Sequence, residues 1–323
     1  MPVAYTTLQD VYKARRRIGS VAQRTPLIAS PTLAGRTGNS VHLKLESLQR
    51  TGSFKIRGAA NKMLSLTGAE KARGVITVSS GNHGRAVAFL AQSLGIGAVI
   101  CMSSRVPRDK VEAIRQLGAE VVLHGNSYEE AEMQALHLLK QRGLTMIEPF
   151  DDPLVIAGQG TIALEILEEL PEVDTVIVPL SGGGLLSGIA LAMKEANSAI
   201  RTIGVSMDRA PVMYHSLRAG RPIEMEEEDT LADALVGNIG VNNEFTFRMI
   251  QEYVDDVFLV SEAEIAEAMA FALRAHRLVV EGGGAVGIAA LRGHKVDRLG
   301  GSTAVVVSGG NADLRSLLGV MSE

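Results

Sequence analysis

Chemistry in this chain concentrates on one lysine and three glycine-rich turns. Lys55 lies in Thr51-Gly52-Ser53-Phe54-Lys55-Ile56-Arg57-Gly58, between an aromatic residue and an isoleucine, where a helix begins. A helix lysine ordinarily points to solvent. Desolvated among apolar neighbours, its amine loses basicity and attacks carbonyl groups at neutral pH, the behaviour of a Schiff-base lysine. The turn Ser181-Gly182-Gly183-Gly184 joins an apolar run to a helix-like segment. Glycines let backbone N–H groups approach an anion, and the helix N-terminus adds partial positive charge, which makes this turn a phosphate cup. No Lys-Ser or Lys-Thr follows it, so it is not a nucleotide P-loop. Ser79-Ser80-Gly81-Asn82-His83-Gly84 and Ser308-Gly309-Gly310-Asn311 are further turns of this type. Each also has a plainer reading: Asn82 as a turn residue, Ser79 or Ser308 as a cap, His83 as a structural histidine.

A rival reading exists for the phosphate cup. Gly182-Gly183-Gly184-Leu185-Leu186-Ser187 nearly matches the dinucleotide pattern G-x-G-x-x-G, and Asp208 follows the next strand, where a ribose-binding acid belongs. The segment alone supports both. Lys55 tips the balance: a carbonyl-reactive lysine together with a phosphate cup that lacks a nucleotide motif points to pyridoxal phosphate.

These residues need a frame that brings strand ends together. Short β-branched runs predict strands at Val41–Glu46, Val75–Val78, Ala98–Met102, Glu120–Leu123, Thr175–Pro179, Thr202–Ser206, Asp256–Val260 and Thr303–Val307. Several are apolar on both faces, as parallel strands covered by helices are. Helices are predicted over Arg85–Leu94, Tyr128–Arg142, Gly160–Leu170, Leu185–Ala196 and Glu262–Leu278. The alternation implies an α/β fold with mainly parallel sheets, whose ligands bind at the carboxyl ends of strands. Residues 71–147 carry their own β-α-β-α series and form an expected small domain. Residues 1–70 and 148–323 form the expected large one, and Glu148–Pro153 reads as a linker. The acidic cluster Glu226-Glu227-Glu228-Asp229 reads as a solvated loop.

Composition excludes several functions. The chain of 323 residues is well sized for two domains. With 4% aromatic residues, no Trp and a net charge of −4, it offers neither a stacking surface nor a basic footprint for nucleic acid. The single cysteine, Cys101, sits in an apolar run and reads as a buried thiol. No apolar stretch is long enough to span a bilayer, and the N-terminal segment lacks the apolar core of a secretory signal, so a cytoplasmic location is expected.

Taken jointly, Ser53-Phe54-Lys55-Ile56-Arg57-Gly58-Ala59, Ser79-Ser80-Gly81-Asn82-His83-Gly84, Ser181-Gly182-Gly183-Gly184-Leu185 and Ser308-Gly309-Gly310-Asn311 resemble the serine/threonine dehydratase and serine racemase family of fold-type II pyridoxal-phosphate enzymes. The resemblance runs in order over nearly the whole chain. It includes Val155-Ile156-Ala157-Gly158-Gln159-Gly160-Thr161 and the turn Glu281-Gly282-Gly283-Gly284-Ala285. It implies a two-domain fold like that of the tryptophan synthase β chain. It also implies that Lys55 carries pyridoxal 5'-phosphate as a Schiff base and removes the Cα proton of an amino-acid substrate. Phe54 would pack beside the ring, Asn82 would bond its 3′ oxygen, and Gly182, Gly183, Gly184 and Leu185 would bind the phosphate. Ser308 would meet the pyridine nitrogen. Ser79, Ser80, Asn82 and His83 would hold the substrate carboxylate, and Ser80 matches the opposite-face acid/base of the racemases. A neutral hydroxyl leaves the pyridine nitrogen unprotonated, which favours elimination of a β-hydroxyl over transamination. A homodimer is expected from the resemblance.

The chain departs from the family at several positions. Ser181 replaces a fourth glycine, and Arg85 stands where relatives often carry glutamine. Ser206 and Val212 replace the acids of cation-binding members, so no metal is expected. No regulatory segment is expected after the catalytic domains, which suits a catabolic lyase. Pro179–Gly184 and Gly204–Arg209 are similar to the branch of hydroxyectoine-utilisation and β-hydroxyaspartate dehydratases. There Arg85 or Arg209 would pair with a second substrate carboxylate through its planar fork; an ordinary surface ion pair is the alternative for each. The expected activity is dehydration of threonine, serine, hydroxyaspartate or a hydroxyectoine-derived amino acid. A racemase on the same scaffold, a nicotinamide-dependent dehydrogenase and a two-lobed amino-acid-binding protein remain open alternatives.

Overall fold

The computed structural model describes residues 6–297, 299–313 and 317–320; residues 1–5 of the N-terminal segment discussed above lie outside them. Two sheets organise the chain. The larger has the order β1 (Leu27–Ala29), β2 (Ser40–Leu45), β10 (Ser302–Val307), β7 (Thr175–Pro179), β8 (Arg201–Met207), β9 (Asp256–Val260). The smaller has the order β5 (Glu120–Leu123), β4 (Ala98–Met102), β3 (Val75–Val78), β6 (Thr145–Met146). Every pairing is parallel except β1 with β2. The predicted strands all occur, with no end shifted by more than one residue. The two that the periodicity did not predict, β1 and β6, are three and two residues long, too short to show a period.

Helices cover both faces of both sheets, which is why β3, β4, β7 and β10 are buried along their whole length. On one face of the larger sheet lie α8 (Pro153–Glu169), α9 (Gly184–Ala196), α10 (Val212–Ala219) and α11 (Thr246–Tyr253), with α1 (Leu8–Ile18) laid across α8. On the other lie α2 (Pro31–Thr37), α12 (Glu262–His276) and α13 (Gly282–Arg292). The smaller sheet carries α3 (Lys55–Ser65), α5 (Asn82–Leu94) and α6 (Arg108–Arg115) on one face and α7 (Tyr128–Arg142) on the other; α4 (Gly68–Arg73) leads into β3. Successive residues of β4 serve opposite cores: Ala98, Ile100 and Met102 face α3 and α5, whereas Val99 and Cys101 face α7. The Cys101 thiol is buried, and burial pushes its pKa up to about 11, so it stays protonated. Among the described residues no helix is long and apolar enough to cross a membrane.

Helix α8 begins seven residues before the predicted Gly160. The Asp152 carboxylate accepts from the N–H groups of Leu154 (2.8 Å) and Val155 (3.1 Å), and Pro153 occupies the first turn, where it lacks no needed donor. The glycines that obscured this helix are there for packing. A Cβ on Gly158 would lie 2.6 Å from the Arg57 carbonyl of α3, and one on Gly160 would lie 2.8 Å from the Gly188 carbonyl of α9. Helices α3, α8 and α9 thus stack at backbone contact. The turn predicted at Glu281–Ala285 is likewise the start of α13, with a Cβ on Gly282 only 2.1 Å from the Leu231 carbonyl.

One buried charge cluster ties these layers together. Arg57 of α3 donates to both Glu46 oxygens at 2.8 Å and to Glu165 of α8 at 2.6 and 2.9 Å. Lys44 of β2 pairs with Glu165 at 2.7 Å. Two cations and two anions leave the cluster neutral, and every carboxylate is paired, which is what burial of ionised groups requires.

Candidate active site

Four helices begin at one cavity. They are α3 at Lys55, α5 at Asn82, α9 at Gly184 and α13 at Gly282, each following a turn at the carboxyl end of a strand or, for α13, at Glu281. Each leaves the N–H groups of its first turn without helical acceptors, so the cavity wall is rich in donors and partial positive charge. Its volume is about 320 Å³, room for a small cofactor and an amino acid.

The cup after β7 admits only glycine. Gly183 has φ +89°, and a Cβ there would lie 2.6 Å from Ile250. A Cβ on Gly182 would lie 2.5 Å from the Phe150 ring, and one on Gly184 would lie 2.8 Å from the Phe150 carbonyl. No side chain caps α9, so its first N–H groups are free for an anion. Lys55 and Phe54 line the same cavity, with the Lys55 amine 5.3 Å from the Phe54 ring centre. Lys55 Nζ donates to the Pro149 carbonyl at 2.8 Å. Burial lowers its pKa to about 8, against the pull of the Glu281 carboxylate, so a useful fraction of the amine is neutral near physiological pH. A nucleophilic amine in the same cavity as an anion cradle fits an aldehyde with a phosphate tail.

Comparison with known proteins decides the matter. Residues 19–310 match the family described as pyridoxal-phosphate dependent enzyme. The chain belongs to this family. It is 45% identical over 311 residues to the L-threonine ammonia-lyase of Thermotoga maritima, covering 96% of this chain and 77% of that one. It is 41% identical over 316 residues to the catabolic L-threonine dehydratase of Escherichia coli K12, covering 97% and 94%. The structure of maize serine racemase superposes with a TM-score of 0.93 at 34% identity, over 99% of this chain and 98% of that one. The protein is therefore a pyridoxal-phosphate-dependent lyase. The dinucleotide reading falls with this result, and Asp208 lies exposed at the end of β8, away from the residues that line the cavity.

The other residues singled out in the sequence of this pyridoxal-phosphate enzyme gather at the same place. Ser79, Ser80, Asn82, His83 and Arg85 line the cavity on the side of the smaller sheet. Gly182, Gly183, Gly184, Leu185 and Ser308 line it on the side of the larger sheet. Ser308 is buried, and its hydroxyl makes only a long contact with the Gly283 carbonyl, 3.5 Å. His83 is buried; burial first, then the nearby Lys55 charge, lowers its pKa to about 3. The imidazole is neutral, and its Nε2–H donates to the Ile147 carbonyl at 2.9 Å. That leaves Nδ1 as a bare acceptor without a protein partner. Of the groups of His83, then, the backbone N–H at the start of α5 is the one suited to a carboxylate.

Arg85 donates to Asn311 Oδ1 at 2.7 Å, and among the described residues no carboxylate lies within ion-pair distance of it. Arg209 is exposed, donates to the Asp229 carbonyl, and lines a neighbouring depression rather than this cavity.

Other lining residues carried no sequence signal of their role. Pro149 and Phe150 of the supposed linker form part of the wall, and Lys110, Tyr128, Glu227 and Asp233 stand around the mouth. Glu227 belongs to the acidic cluster, which is exposed as expected yet reaches the site. Glu281 is buried there, and burial with the Asp233 charge raises its pKa to about 7.

Proposed function

We propose that this enzyme eliminates water from a β-hydroxy-α-amino acid, giving a 2-oxo acid and ammonia. The observation that carries the reading is the half-buried Lys55 amine, lowered to about 8, sharing a cavity with the glycine cup and the Ser79–Asn82 turn. The fit of the cofactor rests on the bare N–H groups of the cup, which any Cβ would crowd, and on an amine basic enough to hold a proton yet free to lose it. Pyridoxal phosphate, when bound, supplies the electron sink that makes the Cα–H bond acidic.

The residues of the chain supply the rest. Gly182, Gly183, Gly184 and Leu185 hold the phosphate through backbone N–H groups. Ser79, Ser80 and the first N–H groups of α5, that of Asn82 among them, hold the substrate carboxylate and fix the Cα–H against Lys55, while the Asn82 side chain is left for the ring oxygen. The Lys55 amine takes the Cα proton. The Cβ–O bond then breaks as the hydroxyl takes up the proton that Lys55 removed from Cα and leaves as water; the enamine product tautomerises to an imine, which water hydrolyses to the oxo acid and ammonia. Ser308 offers the ring nitrogen a neutral hydroxyl, which limits the sink and favours this elimination. The described residues within 71–147 form one lobe and the other described residues the second, and their closure excludes water. The Lys110–Asp233 pair, 3.1 Å across the mouth, is suited to hold the lobes together.

The substrates in view are threonine, which the names of the lyase relatives carry, and serine, its smaller β-hydroxy analogue. Arg85 favours a second reading. A guanidinium in the cavity that donates to the Asn311 amide oxygen is suited to a distal carboxylate, as in β-hydroxyaspartate. The test of the primary proposal is direct. Purified protein loaded with pyridoxal phosphate should show a visible band that borohydride removes and that Lys55→Ala lacks. It should also release ammonia and oxo acid from at least one of serine, threonine and the hydroxyaspartates. A band without any such release would refute the dehydratase assignment.

A further inference from the structure

Two opposite charges anchor a chain of side-chain amides along the cavity wall. Arg85 Nη1 donates to Asn311 Oδ1 at 2.7 Å. Asn311 Nδ2 donates to Asn82 Oδ1 at 2.7 Å and to the Thr51 carbonyl at 2.9 Å. Asn82 Nδ2 donates to Glu281 Oε1 at 2.6 Å. A guanidinium only donates; an ionised carboxylate and a carbonyl only accept. The ends of the chain therefore dictate both amides between them. Reversing Asn82 would set its NH2 against that of Asn311 and its oxygen against the Glu281 carboxylate. In the fixed orientation one hydrogen of Asn82 Nδ2 meets Glu281 and the other remains for the cavity.

Glu281 accepts from the Asn82 amide and from the backbone N–H of Asn311, the two residues of this chain of bonds that flank it. It precedes α13, where a carboxylate would ordinarily cap the helix, yet it makes no capping bond. Gly309 makes room for it: a Cβ there would lie 1.9 Å from Oε1. The residue is 4% exposed. Burying an ionisable group is costly, and a glutamine of the same shape would avoid that cost. What a glutamine cannot do is refuse a hydrogen bond in one direction, because its amide both donates and accepts.

We propose that Glu281 is a positioning residue that locks the Asn82 amide with an N–H directed into the cavity, where it meets the ring oxygen of bound pyridoxal phosphate. The inference rests on the assignment of Asn82 to that oxygen. Arg85 and Asn311 are the other half of the lock. A donor held at the ring oxygen stabilises its anionic form, and the protonation state of the cofactor responds to that.

The experiment is a pH titration of the visible cofactor band in holoenzyme, run as a double-mutant cycle. Glu281→Gln should move the midpoint by about one pH unit, the scale of a hydrogen bond to a charged group. Asn311→Ala, which frees the other side of Asn82 and leaves Glu281 in place, should move it in the same direction. In an Asn82→Ala background, Glu281→Gln should add nothing. An equal shift with and without Asn82 would mean that the Glu281 charge acts through space, and would overturn the proposal. An unchanged midpoint in soluble, loaded Glu281→Gln would overturn it too. Should Glu281→Gln fail to fold, the shift in Asn311→Ala and its disappearance in Asn82→Ala decide instead. Absence of any visible band in the unaltered protein would be a failure of the cofactor assignment, which is a separate outcome.

Discussion

Lys55 Nζ donates to the carbonyl of Pro149 at 2.8 Å, a contact between the first residue of α3 and a segment 94 positions away. The carbonyl steadies the ammonium form but cannot take its proton, so burial remains the force that lowers the pKa to about 8. Loading of apoprotein with pyridoxal phosphate needs the neutral amine. Its rate should therefore rise with pH to a midpoint near 8 and not near 10.5, the ordinary value for lysine. Stopped-flow absorbance across pH 6 to 11 measures this, and a midpoint above 10 would contradict the burial argument.

Replacing Lys55 removes both the anchor and the base. Lys55→Ala should lower kcat by roughly 10²–10⁴-fold or more, the range of a general base. Borohydride treatment of the variant with added cofactor should no longer fix the cofactor covalently to the chain. Turnover by coupled ammonia assay, with borohydride-treated samples analysed by mass spectrometry, tests both statements.

The glycine cup should show its geometry in affinity. Gly183→Ala forces a Cβ into a backbone at φ +89° and to within 2.6 Å of Ile250. A left-handed conformation costs a residue with a Cβ about 1–2 kcal/mol. The Kd for pyridoxal phosphate should rise by about tenfold or more. Equilibrium titration of the visible band reads it, and unchanged affinity would argue against this turn as the phosphate site.

Arg85 separates the two substrate readings. If it binds a distal carboxylate, Arg85→Ala should reduce kcat/KM for β-hydroxyaspartate at least about tenfold more than for threonine, since a charge-assisted bond is worth about 1.5–3 kcal/mol. Equal losses on both substrates would confine Arg85 to holding Asn311.

Arg57 should matter for stability. Arg57→Met leaves Glu46 and Glu165 buried without their main partner, and breaking such a pair typically costs about 3–5 kcal/mol. Thermal melts of the variant should show a clear fall in Tm, larger than that of Arg15→Met, whose partner Glu168 is exposed.

The local sequence was enough for much of the fold and for the kind of site. Eight strands could be read from their short β-branched apolar runs, and the glycine turns that follow three of them carry functional residues. Lys55 and the cup announced themselves by type and neighbours. Helices were harder: α8 was hidden because Gly158 and Gly160, needed for contact with α3 and α9, look like breaks.

Amino-acid order alone thus determined the α/β class, the strand-end turns and the chemistry those turns favour, because each depends on residues close together in the chain. The tertiary structure decided how those turns are wired to one another. The Asn82–Glu281 bond spans 199 positions and the Arg85–Asn311 bond 226, and Arg57 reaches Glu165 across 108. No periodicity encodes such pairs. They arise only when helices from two sheets are brought to one cavity, where burial strips water from polar groups and leaves each to find its partner in the chain.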